Sequence, residues 1–289
     1  MSQPTSHPKL FFITGVSTGF GRAFAQGALD AGHRVVGTLR KPADVAPFEA
    51  LAPGRATGII LDVTDTPAIA PAVARIEAEI GPIDVLVNNA GYGHEGVVEE
   101  TSLDELRRQF EVNVYGPVAV IQAVLPHMRA RRAGHIVNVT SMGGIITLPG
   151  LGIYHGSKFA LEGISEALGK EVKDLGIHVT AIEPGSFRTD WAGRSMVRVE
   201  RAIADYDPVF EPWRQRRQGY NGKQPGNPAK AAQVLLQLVE AKNPPAHLLL
   251  GSDAVKLVGE KLATLQNELA EWRDVSLSTD FDPADDAAA

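Results

Sequence analysis

Leu10-Phe11-Phe12-Ile13-Thr14-Gly15-Val16-Ser17-Thr18-Gly19-Phe20-Gly21 decides the fold of this 289-residue chain. The four apolar residues at 10–13 read as a short buried strand, and the polar stretch after 21 reads as a helix to about residue 31, closed by Gly32. Between them, Gly15, Gly19 and Gly21 let the backbone turn tightly and approach a pyrophosphate, whose charge then rests on the amides of the helix N-terminus. The spacing Gly-x-x-x-Gly-x-Gly differs from the G-x-G-x-x-G fingerprint, and an ordinary turn between strand and helix could share it. Its position directly after the first strand favours the nucleotide reading.

Outward from this turn, short apolar runs alternate with longer amphipathic stretches, as they do where parallel strands are joined by crossover helices. The pattern predicts strands at 34–38, 56–61, 83–87, 135–139, 177–182 and 247–250. It predicts helices at 103–131 and 152–175, the first kinked at Gly116-Pro117, where proline removes an amide donor and crowds the preceding turn. The fold class is therefore α/β: a doubly wound parallel sheet of the Rossmann type in three layers. Nothing resembles a linker between two cores, so residues 9–275 are expected to form one domain, with tails at 1–8 and 276–289.

Composition narrows the function. The chain carries 28 basic and 34 acidic residues, net −6, without a dense Lys/Arg block, so no nucleic-acid partner is expected. The absence of cysteine excludes disulfides and thiolate chemistry. No apolar run approaches the roughly 20 residues of a membrane helix, and no signal-peptide core precedes the first strand, which predicts a soluble, cytoplasmic protein without membrane contact. His94 and His155 flank motif positions without metal-ligand spacing, so no metal is expected.

Further along stand Asn88-Asn89-Ala90-Gly91, Asn113, Ser141, and Tyr154 with Lys158 four residues on. Positions i and i+4 of a helix share a face, so Tyr154 and Lys158 point into the same cleft. A free tyrosine ionises near pH 10, and a neighbouring cation favours its phenolate, which suits a general acid/base. Ser141 follows a strand at the carboxyl edge of the sheet, where α/β folds open their ligand crevice. Asn113 is an amide inside an apolar helical stretch, unfavourable there unless its side chain bonds something.

Together, Thr14-Gly15-x-x-x-Gly19-x-Gly21, Asn88-Asn89-Ala90-Gly91, Ser141 thirteen residues before Tyr154, and Tyr154-x-x-x-Lys158 resemble the short-chain dehydrogenases/reductases over roughly residues 9–190. The resemblance implies a nicotinamide-dependent oxidoreductase with Ser141, Tyr154, Lys158 and Asn113 as its catalytic set. In that family the serine orients a carbonyl, the lysine holds the ribose hydroxyls, and the asparagine holds a water that relays protons. It also implies cofactor contacts from Gly15, Ser17, Thr18, Gly19, Phe20 and Gly21, from Asp62 and Val63, from Asn89, Ala90 and Gly91, from Tyr154 and Lys158, and from Pro184, Gly185 and Thr189. A helix-capping aspartate would look the same as Asp62.

Charge selects between cofactors. An NAD site places a carboxylate about 20 residues past the glycines, whereas a ribose 2′-phosphate needs an arginine and no carboxylate. Here Leu39 stands at that place and Arg40 follows, so NADP(H) is preferred and NAD(H) is the alternative; a solvated end-of-strand arginine would read alike.

Met142, Ile145, Ile146, Leu148, Leu151, Phe187, Trp191, Met196 and Val197 are apolar enough to line a pocket for a hydrophobic carbonyl or alcohol. Segment 186–226 is long for a connection and is expected to act as a substrate lid, or else as a packed subdomain. Arg214, Arg216 and Arg217 read as a solvated charged face, or else as facing an acidic group on a substrate. The resemblance implies pairing through the long helices into a homodimer or homotetramer. The alternatives are an NAD-dependent alcohol or hydroxysteroid-type dehydrogenase and a non-catalytic nucleotide sensor; an intact Ser/Tyr/Lys set speaks against the latter.

Overall fold

The computed structural model describes residues 7–281; residues 1–6 and 282–289, the outer parts of the two expected tails, lie outside it. Strands β1 (Leu10–Ile13), β2 (Arg34–Leu39), β3 (Ala56–Ile60), β4 (Val85–Asn88), β6 (Gly134–Val139), β7 (Ile177–Pro184) and β9 (His247–Leu250) form one parallel sheet, ordered β3-β2-β1-β4-β6-β7-β9. The order reverses between β1 and β4, which opens a crevice at their carboxyl ends. A three-residue strand, β5 (Gly93–Glu95), pairs with β8 (Met196–Arg198) in a separate two-stranded parallel sheet.

Alternation along the strands builds two cores. Phe11, Ile13, Val35, Val85, Val87, Val137 and Ile182 face one side, where α1 (Gly19–Asp30), α2 (Val45–Glu49) and α8 (Pro228–Glu240) supply Phe24, Leu29, Phe48, Leu235 and Leu238. Leu10, Phe12, Val36, Leu86, Ile136 and Val179 face the other, covered by α3 (Thr66–Arg75), α5 (Gly116–Arg131) and α6 (Gly152–Val172). Because side chains two apart share a face, nearly continuous apolar strands are what a sheet covered on both sides requires.

The long helical stretch differs from expectation. Helix α4 (Leu103–Phe110) passes through a π-helical turn, Glu111–Tyr115, into α5, so the disturbance sits one turn before Gly116-Pro117. The physical cause is the same. Pro117 has no amide for the Asn113 carbonyl, and the wider turn accommodates that loss and the ring. Strand β7 runs on to Pro184, beyond the residue 182 expected from sequence, because its backbone pairs with β9 as far as Leu250, while His247 of β9 partners the Glu183 carboxylate. Helix α10 (Arg273–Leu277) enters the expected C-terminal tail, and among the described residues no helix is long and apolar enough to cross a membrane.

Segment 186–226 leaves and rejoins the sheet at one neck. Gly226 N–H donates to Ser186 O (3.0 Å) and Arg188 N–H donates to Gly226 O (3.0 Å). Beyond the neck lie β8 and α7 (Asp207–Tyr220), whose Phe210 is buried. Ion pairs fasten the segment to the body. Glu95, nearly inaccessible, takes Arg217 Nε at 2.6 Å and Arg198 Nε at 3.4 Å, and Glu100 takes Arg201 at 3.0 Å. Arg217 is thus a half-buried clasp, contrary to the solvated face expected for it; the sequence separation from Glu95 hid the pairing.

Candidate active site

The turn after β1 is built by side chains from two strands. Thr14 Oγ1 accepts the amides of Asn89 and Ala90 (3.0 Å each), and Asn89 Nδ2 donates to the carbonyls of Thr14 (2.8 Å) and Gly15 (3.0 Å). Thr38 of β2 accepts the Gly15 amide at 2.9 Å. Gly15 (φ +72°) and Gly19 (φ +61°) adopt left-handed backbone, which a side chain disfavours. A Cβ at Gly21 would collide with the Gly15 carbonyl and the Asn89 amide, so α1 approaches the turn only with glycine there. No side chain caps α1, and its first turn holds no acid, leaving its amides and positive dipole end available to an anion.

Those amides face a cleft of about 1310 Å³. Gly15, Ser17, Thr18, Gly19, Phe20, Arg40, Asp62, Val63, Asn89, Ala90, Gly91, Ser141, Tyr154, Lys158, Pro184, Gly185 and Thr189 all line it. Gly21 and Asn113 stand behind it. Asp62 accepts from Thr64 N–H (3.0 Å) and Thr64 Oγ1 (2.9 Å) in a local turn, while the residue before α3 is Asp65. At the far end Met142, Ile146, Leu148, Leu151, Trp191 and Val197 supply apolar walls, while Phe187 lines the cleft beside Phe20 at the start of α1, ring centres 4.9 Å apart. Ile145 and Met196 do not join them; Met196 is packed against Gly93 beneath.

Tyr154 and Lys158 sit one turn apart on α6, both nearly buried, with Lys158 Nζ 5.8 Å from the tyrosine ring centre. The ammonium donates to the Val139 carbonyl at 2.9 Å. Trp191 stacks near the tyrosine, ring centres 5.1 Å apart. Burial pushes the Tyr154 phenol up to about 12, the neighbouring Ser141 hydroxyl acting the other way. Burial likewise brings Lys158 down to about 8, against the pull of Glu162. Desolvation therefore dominates the phenol and outweighs the Ser141 hydroxyl.

Asn113 is buried in the π-helical turn with its side chain fully engaged. Its Nδ2 donates to Tyr92 O (3.1 Å) and Ser157 Oγ (3.1 Å), and its Oδ1 accepts from Tyr92 N–H (3.2 Å). Ser157 Oγ donates on to the Tyr154 carbonyl (2.7 Å), so the asparagine pins residue 92 to α6. His155, without metal-ligand spacing, shapes the wall of the cleft: Nε2 accepts from Leu148 N–H (2.9 Å) and Nδ1 bonds the Gly143 carbonyl (2.8 Å). The loop's amide and carbonyl fix the neutral ring with its proton on Nδ1.

Behind Lys158, three titratable groups converge without a sequence signal. His247 Nδ1 lies 2.8 Å from Glu183 and 3.4 Å from Glu162. Both carboxylates are buried; neither Glu162 oxygen has a hydrogen-bond partner. Burial pushes Glu162 up to about 7, with Glu183 adding to the rise and the nearby Thr140 hydroxyl, His247 and Lys158 opposing it. An acid whose folded pKa is raised contributes stability that is present below its unfolded value, 4.5, and lost as pH climbs through about 7. Melting curves from pH 5 to 8 should thus fall more steeply for the wild type than for Glu162→Gln, which stays neutral. Parallel curves would show that Glu162 carries no such coupling.

The short chain dehydrogenase family pattern matches residues 9–197. Oxidoreductase BOA17 of Botryotinia fuckeliana is 38% identical over 272 residues, 94% of this chain and 99% of that protein. The 3-ketodihydrosphingosine reductase of Bacteroides thetaiotaomicron is 34% identical over 268 residues, 92% of this chain and 96% of its own. A crystal structure of a short-chain dehydrogenase from Streptomyces avermitilis superposes with a TM-score of 0.89 at 41% identity, covering 96% of this chain and all of that one. With the glycine turn, the cleft and the Ser/Tyr/Lys group in one place, the chain belongs to the short-chain dehydrogenase/reductase family and is an NAD(P)-dependent oxidoreductase acting on CH–OH and C=O groups.

Proposed function

We propose that the protein is an NADP(H)-dependent reductase interconverting a hydrophobic ketone or aldehyde with its alcohol. The observation that carries this reading is the convergence of Ser141, Tyr154 and Lys158 on a cleft that begins at the uncapped N-terminus of α1 and ends in apolar walls. When bound, the nicotinamide nucleotide supplies or takes up the hydride. Ser141 Oγ orients the substrate oxygen, and Tyr154 Oη delivers its proton to it. A phenol held near 12 keeps that proton at neutral pH, which suits the donor role in carbonyl reduction. Lys158 Nζ holds ribose hydroxyls and recharges the phenol, and the Asn113 carbonyl, deprived of its i+4 donor by Pro117, forms the outer end of the proton path.

The preference for NADP(H) rests on the end of β2. Leu39 is buried, while Arg40 and Lys41 are exposed at the cleft mouth, and no carboxylate occupies position 39. A charge-assisted hydrogen bond to a 2′-phosphate contributes about 1.5–3 kcal/mol, roughly 10- to 100-fold in affinity. Calorimetric titration should show tighter binding of NADPH than NADH, and Arg40→Asp should remove that margin while changing NADH little. Equal affinities in the wild type would overturn the cofactor assignment, and binding of neither would overturn the enzymatic reading.

For the substrate, the apolar walls favour a hydrophobic ketone, and the relative named for 3-ketodihydrosphingosine supports a long-chain one. Segment 186–226 covers the cleft with Trp191, Arg194 and Val197, and its neck and ion pairs make it a fastened cover. Residues 9–275 act as one domain, in a cytoplasmic protein assembled as a homodimer or homotetramer through the exposed faces of α4–α5 and α6.

A further inference from the structure

Among the described residues, Glu162, Glu183 and His247 form the one group of three acidic or imidazole side chains whose ligand atoms all lie within 4.8 Å of one another. Their separation along the chain hides them from any metal-ligand spacing, on which the sequence expectation of no metal rests. Each comes from a different element. Ala181 of β7 pairs with His247 of β9, the edge strand, so residues 183 and 247 share one face of the sheet. Helix α6 lies on that face and brings Glu162 down to them, 3.4 Å from His247 Nδ1. Glu183 is fully buried and Glu162 is 7% exposed, while the His247 side chain, 43% exposed, reaches solvent. Donors are short here. His247 Nδ1 carries at most one proton, and at 2.8 Å it faces Glu183 Oε1. The Thr140 hydroxyl, beside Glu162, donates to the Ile182 carbonyl (2.9 Å), and the Lys158 ammonium donates to the Val139 carbonyl (2.9 Å). Both oxygens of Glu162 and Oε2 of Glu183 therefore stand buried without a hydrogen-bond partner among the described residues. A buried carboxylate so placed is costly unless a charge meets it.

We propose that Glu162, Glu183 and His247 hold a divalent ion of the zinc class, which ties α6 to the β7–β9 edge of the sheet. One such cation meets several of the orphaned oxygens at once, and two carboxylates balance its charge. The donor set selects the class. Calcium and magnesium take oxygen ligands, whereas an imidazole nitrogen suits zinc and its neighbours. The separations start at 2.8 Å and do not exceed 4.8 Å, a range that includes the roughly 3.4 Å between ligands of a tetrahedral ion bound at about 2.1 Å. The cation replaces the Nδ1 proton, which leaves to solvent, and the ring keeps a proton on Nε2. Three protein ligands leave a fourth position to a solvent oxygen, and the exposed His247 at the sheet edge marks the way in. None of the three residues lines the cleft, so the proposal is independent of the reductase reading.

The chain has no cysteine, so thiolates do not compete for zinc. Tag-free protein, stripped with a chelator and dialysed free of it, should take up one zinc ion per chain at micromolar affinity or tighter in a calorimetric titration. Its melting temperature should rise with zinc, because the ion binds only where the fold brings the three ligands together. Glu162→Gln and His247→Ala each remove one ligand and should weaken the binding step at least roughly tenfold and abolish the melting rise. His247→Ala changes an exposed side chain, so it stays informative even if Glu162→Gln fails to fold. His127→Asn is the control, since His127 lies 4.0 Å from Glu77 outside the site, and zinc binding should not change. Cobalt in place of zinc should give the visible absorption of a four-coordinate ion, lost in both ligand variants. No single-equivalent uptake at tens of micromolar zinc, a step that survives either ligand substitution, or one that His127→Asn abolishes would overturn the proposal.

Discussion

Tyr154→Phe should lower turnover by about 10²- to 10⁴-fold, the usual contribution of a positioned general acid, while leaving the fold and nucleotide binding in place. The substitution removes one oxygen and keeps the ring, so the stacking on Trp191 and the apolar part of the pocket survive. Two responses separate this from a packing defect. The melting temperature should not fall, because the phenol is a buried polar group whose neighbours are Ser141 and the cleft. Nucleotide affinity should also be unchanged, since Lys158 remains anchored on Val139. Single-turnover absorbance of the nicotinamide with a saturating apolar ketone is the measurement. Activity within tenfold of the wild type would exclude Tyr154 as proton donor and turn attention to a donor elsewhere in the cleft.

Gly21→Ala should have the second-largest effect, although Gly21 does not line the cleft. Its added methyl would meet the Gly15 carbonyl and the Asn89 side-chain amide, both already joined to each other. Neither can retreat cheaply, since one is backbone and the other ties the β1 turn to the end of β4 through Thr14. Forcing atoms into such a site costs about 1–3 kcal/mol, or several degrees of melting temperature in a chain of this size. Splaying the turn should also weaken NADPH binding at least roughly tenfold, since the helix amides would no longer converge. Gly163→Ala is the matching control, because a Cβ there meets nothing within 4 Å and alanine favours the helix. Equal melting and binding in the two variants would refute the close-approach argument.

Much of this molecule is legible in local sequence. The apolar tetrad 10–13, the glycine turn and the strands at 135–139 and 247–250 carry their periodicity in a few neighbouring residues, and the structure places them within a residue of where that periodicity ends. That Ser141, Tyr154 and Lys158 meet at one cleft was readable for a related reason: Tyr154 and Lys158 share a helix face by spacing alone, and Ser141 follows a strand. Where reading failed, a distant partner had changed the rules. Glu183 looks like a strand terminator, but His247 allows it to be buried inside β7. Arg217 looks solvated, but Glu95 holds it from across the cleft. Strand β5, three residues long, exists because β8 pairs with it.

The sequence alone determined the α/β class, the family and the candidate groups of the cleft, because these rest on periods of two and 3.6 residues and on motifs a few positions wide. Only the tertiary structure decided the state of those groups. It buried the Tyr154 phenol, pushing it up to about 12, and by burial pushed Glu162 up to about 7. It gave the Asn113 side chain a structural task and left the outer half of α9 (Ser252–Glu271) exposed. Burial and pairing depend on which remote segments the fold brings into contact, and desolvation acts on a group through everything around it.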